Sequence, residues 1–200
     1  ELRDEAAESD DKKDRIVSFG GIEVVVNLMV QHVDDAHIAA NGCGVLANVA
    51  VKEEHVRPID AAGGIGAVLL VMMRHRHDSA VITNGCAALA HLAINDGNRT
   101  TIATFGGIAA IVSAMTLHLD DVRVAENSCT ALRNLAEMDL NKVAIAAAGG
   151  LGAILSVMRR HQEDVDVTWR GCSALALLAY NDDNEHSIVL LGGADTIVSV

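Results

Sequence analysis

Aromatic residues are nearly absent from this 200-residue sequence: they make up 2% of it, although half of the residues are hydrophobic. A core without rings must be built from Ala, Val, Leu and Ile, which suits closely packed helices. The single proline leaves no Pro-rich linker. No apolar run reaches the roughly 18 residues that a membrane-spanning helix needs, and the charged residues 1–15 do not resemble a signal peptide. We therefore expect no membrane insertion.

Basic residues are also scarce. Lys and Arg number 15 against 27 Asp and Glu, which gives a formal net charge of −12. Proteins that bind nucleic acids carry basic patches that contact phosphates. The balance therefore argues against a nucleic-acid partner and permits a basic one.

The chain has four cysteines, and each follows the last by 43 residues: Cys43, Cys86, Cys129 and Cys172. Neighbouring helices pack about 8–10 Å apart, whereas a disulfide needs Cα atoms within about 7 Å. We therefore expect small, buried, unbridged residues rather than two disulfides. Unbridged cysteines indicate a reduced intracellular compartment, the cytoplasm or alternatively the nucleus.

A longer sequence motif, called the phrase below, recurs with the same spacing. Residues 41–50 read NGCGVLANVA, and related phrases begin at residues 84, 127 and 170. Paired glycines recur at the same interval, at 20–21, 63–64, 106–107, 149–150 and 192–193. A fixed period of this length indicates a tandem repeat of supersecondary units. Each unit is predicted to hold three helices: a short one that ends at the first glycine in a left-handed turn, one that starts at the second glycine, and a longer one that carries the phrase.

Four columns of the repeat predict the ends and the packing of these helices. An aspartate column should N-cap the third helix, and an asparagine column, with His55 in the first copy, should N-cap the short first helix. A small-residue column inside the third helix should allow close backbone packing, and a histidine column should cap the end of the second helix rather than bind metal. The columns are Asp35/Asp78/Asp121/Asp164, Asn98/Asn141/Asn184, Gly42/Gly85/Ser128/Gly171 and His32/His75/His118/His161.

The phrases GCAALAHLA and SCTALRNLA, together with the short capped helix and the Gly-Gly break, resemble armadillo repeats. The resemblance covers nearly the whole chain and implies an all-α, right-handed armadillo-repeat superhelix, an α-solenoid with three helices per 43-residue repeat. HEAT repeats are the near alternative, but they have two helices per unit and lack the Gly-Gly break.

We expect one continuous solenoid domain. Residues 1–19 would hold the end of a preceding repeat and a first short helix, full units would span 20–62, 63–105, 106–148 and 149–191, and residues 192–200 would begin a further unit. Because both ends fall within a unit, we expect the parent protein to carry more repeats or caps. Exposed apolar ends would permit end-to-end self-association of this piece.

At 100° per residue, one side of the third helix is apolar or small in nearly all copies, and the opposite side forms a narrow variable stripe. In armadillo folds the third helices line an inner groove, and the resemblance implies that the last asparagine of the phrase contacts the backbone of an extended peptide. That position is Asn48, His91, Asn134 and Leu177 here. A second polar rung lies seven residues earlier, at Asn41, Asn84, Asn127 and Arg170. The alternative is that these are solvated polar residues.

Other positions on the stripe would select the partner. We assign side-chain selectivity to Arg123, Asp166, Arg170 and Leu177. Trp169 and Tyr180 lie on one flank, where they are either binding anchors or residues partly buried against a following unit. Nuclear-import adaptors of the family carry tryptophan four residues before the last asparagine of the phrase. That column is Gly44, Ala87, Thr130 and Ser173 here, so the aromatic trap for basic peptides is missing.

No catalytic, cofactor or metal site is expected. The GGIG at residues 63–66 follows a helix rather than a strand, so it is not a phosphate loop, and no nucleophile–histidine–acid arrangement is apparent. We interpret the chain as a protein–protein interaction module, not an enzyme, that binds a peptide or protein in the third-helix groove. The alternatives are a structural or regulatory solenoid segment of a larger multidomain protein and, less favoured, an import-type adaptor for basic cargo.

Overall fold

The computed structural model describes residues 10–199. The helix tail expected at residues 2–9 lies outside these. The chain forms two compact units, Glu1–Phe105 and Gly106–Val200, called here the N-terminal and C-terminal units. Among residues 10–199 no single helix is long and apolar enough to span a membrane, while three pairs of helices bent by more than 40° have the combined length and composition.

The described part of the N-terminal unit holds seven helices and no strand. They are α1 (Asp10–Ser18), α2 (Gly21–Gln31), α3 (Ala36–Val49), α4 (Glu53–Ala61), α5 (Gly64–Arg74), α6 (Ser79–Leu92) and α7 (Asp96–Thr104). The same order of short, medium and long helix recurs, as the repeat predicts. The helices α3 and α6, both third helices of a repeat, pack against each other.

The described part of the C-terminal unit is also all helical and repeats the pattern. Its helices are α8 (Gly107–Leu117), α9 (Val122–Leu135), α10 (Asp139–Ala147), α11 (Gly150–Arg160), α12 (Val165–Leu178), α13 (Asp182–Leu190) and α14 (Gly193–Val198). The third helices α9 and α12 pack side by side. The all-α fold class with three helices per repeat is confirmed, whereas the division into one continuous domain stays a prediction.

The aspartate column caps the third helices as predicted. Asp35 accepts hydrogen bonds from the backbone N–H groups of His37 and Ile38 through Oδ1, at 2.9 and 3.0 Å. These bonds satisfy amide groups that have no partner inside the helix. The other three aspartates of the column act in the same way at α6, α9 and α12.

The asparagine column does not cap the short helices, which corrects the sequence prediction. The N-cap of α7 is Asn95, whose Oδ1 accepts from the N–H of Asn98. Asn98 itself is buried, and its Nδ2 donates to the carbonyl oxygen of Leu92 at 3.1 Å. Leu92 ends α6, where carbonyl groups lack helical partners. The column therefore closes the preceding third helix, and Asn141 and Asn184 do the same for α9 and α12.

Each Gly-Gly pair makes a sharp bend between a short helix and the next. Gly63 has φ 79°, a left-handed conformation that costs an L-residue free energy. The axes of α4 and α5 differ by 74° on either side of it. Gly64 is already helical, but a Cβ on it would lie 2.5 Å from Cγ2 and 2.8 Å from the carbonyl oxygen of Ile59. The two glycines are therefore needed for different reasons, one conformational and one steric.

The small-residue column faces a methionine side chain, not backbone, which corrects the expected cause. A Cβ on Gly85 would lie 2.6 Å from Cγ and 2.7 Å from the sulfur of Met72 on α5. Met72 and its equivalents are buried. The same fit joins Met29 to Gly42 and Met158 to Gly171. The second helix of each of these repeats is thereby seated against its third helix.

The four cysteines are free thiols, and three are fully buried. Burial raises the pKa of Cys129 to about 12 and also raises those of Cys43 and Cys172. Cys172 is only half-buried. The three buried thiols pack as small apolar side chains.

The Gly-Gly pair gives a testable ranking. We expect Gly63→Ala to cost about 1 kcal/mol, because open space surrounds the site and only the backbone conformation is strained. Gly64→Ala should cost about 3 kcal/mol, because its Cβ would push α5 away from Ile59. Urea unfolding of both variants measures the difference. A larger loss for Gly63→Ala would contradict this account.

Candidate binding surface

On the variable stripe of the third helices, two polar side chains of the N-terminal unit already form hydrogen bonds within the protein. Asn84 on α6 donates from Nδ2 to the carbonyl oxygen of Ala40 on α3, at 2.8 Å. His91 places Nδ1 2.8 Å from the carbonyl oxygen of Ala47. A carbonyl only accepts, so Nδ1 of His91 carries the proton. These two side chains tie one third helix to the backbone of the one before it.

In the first repeat, the two polar positions of the stripe differ in their exposure to solvent. Asn41 is exposed and Asn48 is half-buried on α3. Gly44 lies buried between them, and Ala87 takes its place on α6. The stripe of this unit is therefore uncharged between its rungs. The side-chain nitrogen of Asn84 is already bonded, but its side-chain oxygen can still accept a hydrogen bond.

In the C-terminal unit an arginine replaces the amide. Arg170 on α12 reaches back to α9 and donates from Nη1 to the hydroxyl of Thr130 at 2.9 Å. That hydroxyl in turn donates to the carbonyl oxygen of Glu126. Nε of Arg170 is enclosed and has no hydrogen-bond partner among the described residues. A guanidinium offers five donors, and an enclosed donor without a partner costs free energy.

Glu126 is the electrostatic centre of this part of the stripe. Burial raises the pKa of its carboxyl above the ordinary value of 4.5; Arg170 lowers that pKa, Asp164 and Asp166 raise it, and Arg123 lowers it. Arg123 and Asp166 are exposed and Arg170 is half-buried. Charges of both signs thus surround one partly desolvated carboxyl.

Two large aromatic side chains are exposed in the C-terminal unit. Trp169 on α12 is 65% exposed and Tyr180, just after α12, is 79% exposed. Nζ of Lys142 lies 5.8 Å from the centre of the Tyr180 ring. The binding anchor and the contact with a following unit both stay predictions for these two rings.

The remaining predicted site residues vary in burial. Asn127 and Leu177 are half-buried, and Asn134 is buried. Oδ1 of Asn134 accepts from Nη1 of Arg133 at 3.1 Å. The rung that contains Asn134 is thus less accessible than the one that contains Arg170.

Sequence reasoning missed two residues of this surface. Glu126 belongs to a column that reads Ala40, Thr83, Glu126 and Trp169, next to the asparagine rung, and Thr130 was considered only as a replaced tryptophan. A signal was present for Glu126, because it is the only charged residue in its column.

The histidine column joins successive repeats. Nε2 of His75 lies 2.7 Å from the carbonyl oxygen of Val33, and Nε2 of His161 lies 2.8 Å from that of Leu119. Each carbonyl belongs to the loop before the third helix of the preceding repeat. The histidines stand at the C-caps of α5 and α11, as predicted, but their rings bond that loop.

Glu126 gives a prediction on pH. A carboxyl whose pKa is raised on folding destabilises the folded state when it is ionised, so its cost appears as pH rises through that pKa. Glu126→Gln should therefore raise the free energy of unfolding near pH 7.5, and the gain should vanish near pH 4. Urea titrations at both pH values test this. An equal gain at both would show that its charge is not the cause.

Comparisons with known proteins support the armadillo fold. The family model described as LRRK2 ARM repeat matches residues 6–198. No curated protein sequence matches the chain. An engineered protein from the Northeast Structural Genomics Consortium is 28% identical with a TM-score of 0.84, and the match covers 98% of this chain and 77% of that one.

Two further structures share the fold at lower identity. A designed armadillo repeat protein in complex with peptide (KR)4 has a TM-score of 0.83 at 16% identity, over 98% of this chain and 80% of that one. A chain from a structure on the interaction between cadherin and beta-catenin has a TM-score of 0.83 at 17% identity, over 99% of this chain and 37% of that one.

Proposed function

Because the chain belongs to the LRRK2 ARM repeat family, we propose that it is a protein-binding module whose partner lies on the face of the third helices. The carrying observation is in the C-terminal unit, where an exposed Trp169 stands beside the half-buried Arg170. Tryptophan and arginine are the residue types most enriched among binding hot spots. A partner would cover the ring.

The chemistry of the third-helix face suits an extended peptide or protein segment. Exposed Arg123 and Asp166 can pair with side chains of either sign, while Arg170 can donate to a carbonyl or carboxylate oxygen. The exposed Asn41 offers an amide to a peptide backbone. We assign this function to binding rather than catalysis, in an intracellular compartment that keeps the four thiols reduced.

A second candidate is a structural segment of a larger protein, with no free ligand on this face. The bonds of Asn84 and His91 to the neighbouring helix favour it, because those polar side chains already have a structural use. The import-type reading has weaker support, because the tryptophan column is replaced. The structurally similar designed armadillo repeat protein in complex with peptide (KR)4 favours the first candidate.

Peptide selection separates the candidates. Peptides of random sequence would be selected on the whole chain, and the affinity of the best ones measured by calorimetry. We expect Trp169→Ala to weaken binding about 30-fold, the effect of losing one hot spot of about 2 kcal/mol. Leu140→Ala, which removes a side chain 79% exposed on α10, is the matched control and should change affinity less than twofold.

Three other outcomes have defined meanings. Equal losses in both variants, or no selected peptide, would favour the structural segment. Strong binding of the peptide (KR)4 that weakens steeply with salt would revive the basic-cargo reading. Circular dichroism of each variant shows that the helices persist.

A further inference from the structure

Three residues that can ligate a metal ion meet where α1 lies beside α4 in the N-terminal unit. One ligand atom each from Asp14, Glu54 and His55 lie within 4.8 Å of one another, and among residues 10–199 this is the one such group. We propose that the group binds a single zinc ion, which joins α1 to α4. This inference concerns the N-terminal unit and does not depend on the proposed binding face.

His55 has one ring nitrogen more than its place in the repeat requires. Its Nδ1 lies 3.2 Å from the carbonyl oxygen of Val49, at the end of α3. In later repeats an asparagine nitrogen makes the equivalent bond to the end of a third helix. The second nitrogen, Nε2, lies 2.9 Å from Oδ1 of Asp14 and 3.9 Å from Oε1 of Glu54. The nitrogen that asparagine does not supply thus faces two carboxylates.

The hydrogen bonding of the ring suits a metal ligand. When Nδ1–H donates to the carbonyl oxygen of Val49, the lone pair of Nε2 faces the carboxylates. A carbonyl acceptor on the non-ligating nitrogen is the arrangement that orients metal-bound histidines. The side chain of His55 is 5% exposed, so its surroundings hold the ring in place. Zinc on Nε2 would give each nitrogen a partner, whereas the neutral ring has one N–H for two acceptors.

The separations of the ligand atoms fit tetrahedral zinc. Ligands about 2.0 Å from the ion lie about 3.3 Å from one another at the tetrahedral angle. The two distances from Nε2 of His55, 2.9 Å to Asp14 and 3.9 Å to Glu54, lie on either side of this value. Imidazole and carboxylate are both zinc ligands. The two carboxylates are exposed by 48% and 71%, which leaves an entry path and a fourth position for water.

The ammonium group of Lys52 already places a positive charge in this cluster. Its Nζ donates to Oδ1 and Oδ2 of Asp14 at 2.8 and 3.0 Å, and lies 3.9 Å from Oε1 of Glu54. The hydrogen bond from Lys52 lowers the pKa of Asp14, and an ionised carboxylate is the form that ligates a metal. Zinc would replace the ammonium, because a divalent ion can neutralise both carboxylates. The side chain of Lys52 is 21% exposed, so it can move toward solvent.

The three ligand types coincide once in the repeats. An acid in the first turn of α4 is favourable for the helix by itself, so Glu54 alone would not indicate a site. No metal site was expected from sequence, because Asp14 lies far from Glu54 and His55 along the chain and only the fold brings them together. The three columns read Asp14/Arg57/Thr100/Val143, Glu54/Gly97/Leu140/Asp183 and His55/Asn98/Asn141/Asn184.

Zinc titration of the whole chain tests the site. Calorimetry at pH 7.5 should show one zinc ion bound per chain. Zinc should also slow hydrogen exchange of the α1 amides, because α1 carries Asp14, and leave the α13 amides unchanged. His55→Asn should weaken zinc binding more than about 100-fold, because loss of a ligand exceeds the 10–100-fold effect of losing an outer-shell partner. Its fold should persist, since asparagine makes the equivalent carbonyl bond in later repeats.

Two further variants distinguish this site from others. Lys52→Met keeps a long side chain and removes the competing charge, so it should tighten zinc binding about tenfold, the size of one charge-assisted hydrogen bond. His77→Ala is the matched control, because His75 and His77 form a pair of histidines outside the cluster. It should leave the affinity for zinc unchanged. Circular dichroism of each variant shows whether the helices persist.

The contrary results are equally defined. Absence of zinc binding, or equal affinity in His55→Asn, would overturn the proposal. Unchanged or weaker binding in Lys52→Met would contradict it as well, because zinc would then not take the place of the ammonium. Loss of binding in His77→Ala would place the ion on the loop after α5 and leave the cluster to Lys52.

Discussion

The rest of the structure depends on the short distance between the second and third helices of a repeat. This distance is set where a methionine of the second helix packs against a glycine of the third helix, which has no side chain. Met29, Met72 and Met158 each fill the space above a glycine of the neighbouring third helix. In the third repeat Ser128 takes the glycine position opposite the buried Met115. With the second and third helices held this close, few aromatic rings would fit between them, which explains a core of small aliphatic side chains.

Much of the fold could be predicted from sequence, because the signals are local and repeated. A left-handed glycine and an aspartate N-cap act within a few residues, so their columns reveal both helix boundaries. The asparagine column was misassigned for the opposite reason. Asn95 and Asn98 both suit a helix start, and only the fold shows that Asn98 donates to a carbonyl six residues earlier.

The binding face was predictable in outline but not in detail. A helical period shows which columns leave the core, yet it does not show which polar side chains are bonded to a neighbouring repeat. Asn41 and Asn84 look equivalent in sequence, but Asn84 bonds the helix before it and Asn41 is exposed on the first copy. The same column ends in Arg170, whose reach to Thr130 leaves a donor unsatisfied. One repeated position thus bonds the preceding third helix through an amide in one unit and through a guanidinium in the other.

The stability difference between Asn84→Ala and Asn41→Ala tests this division most directly. Both variants gain the same helix propensity, so the difference isolates the bond from Asn84 to Ala40. The account predicts that Asn84→Ala is less stable than Asn41→Ala by about 1 kcal/mol in urea unfolding. Equal stabilities would contradict it, because Asn84 would then have no structural use and the whole column would be left for a partner.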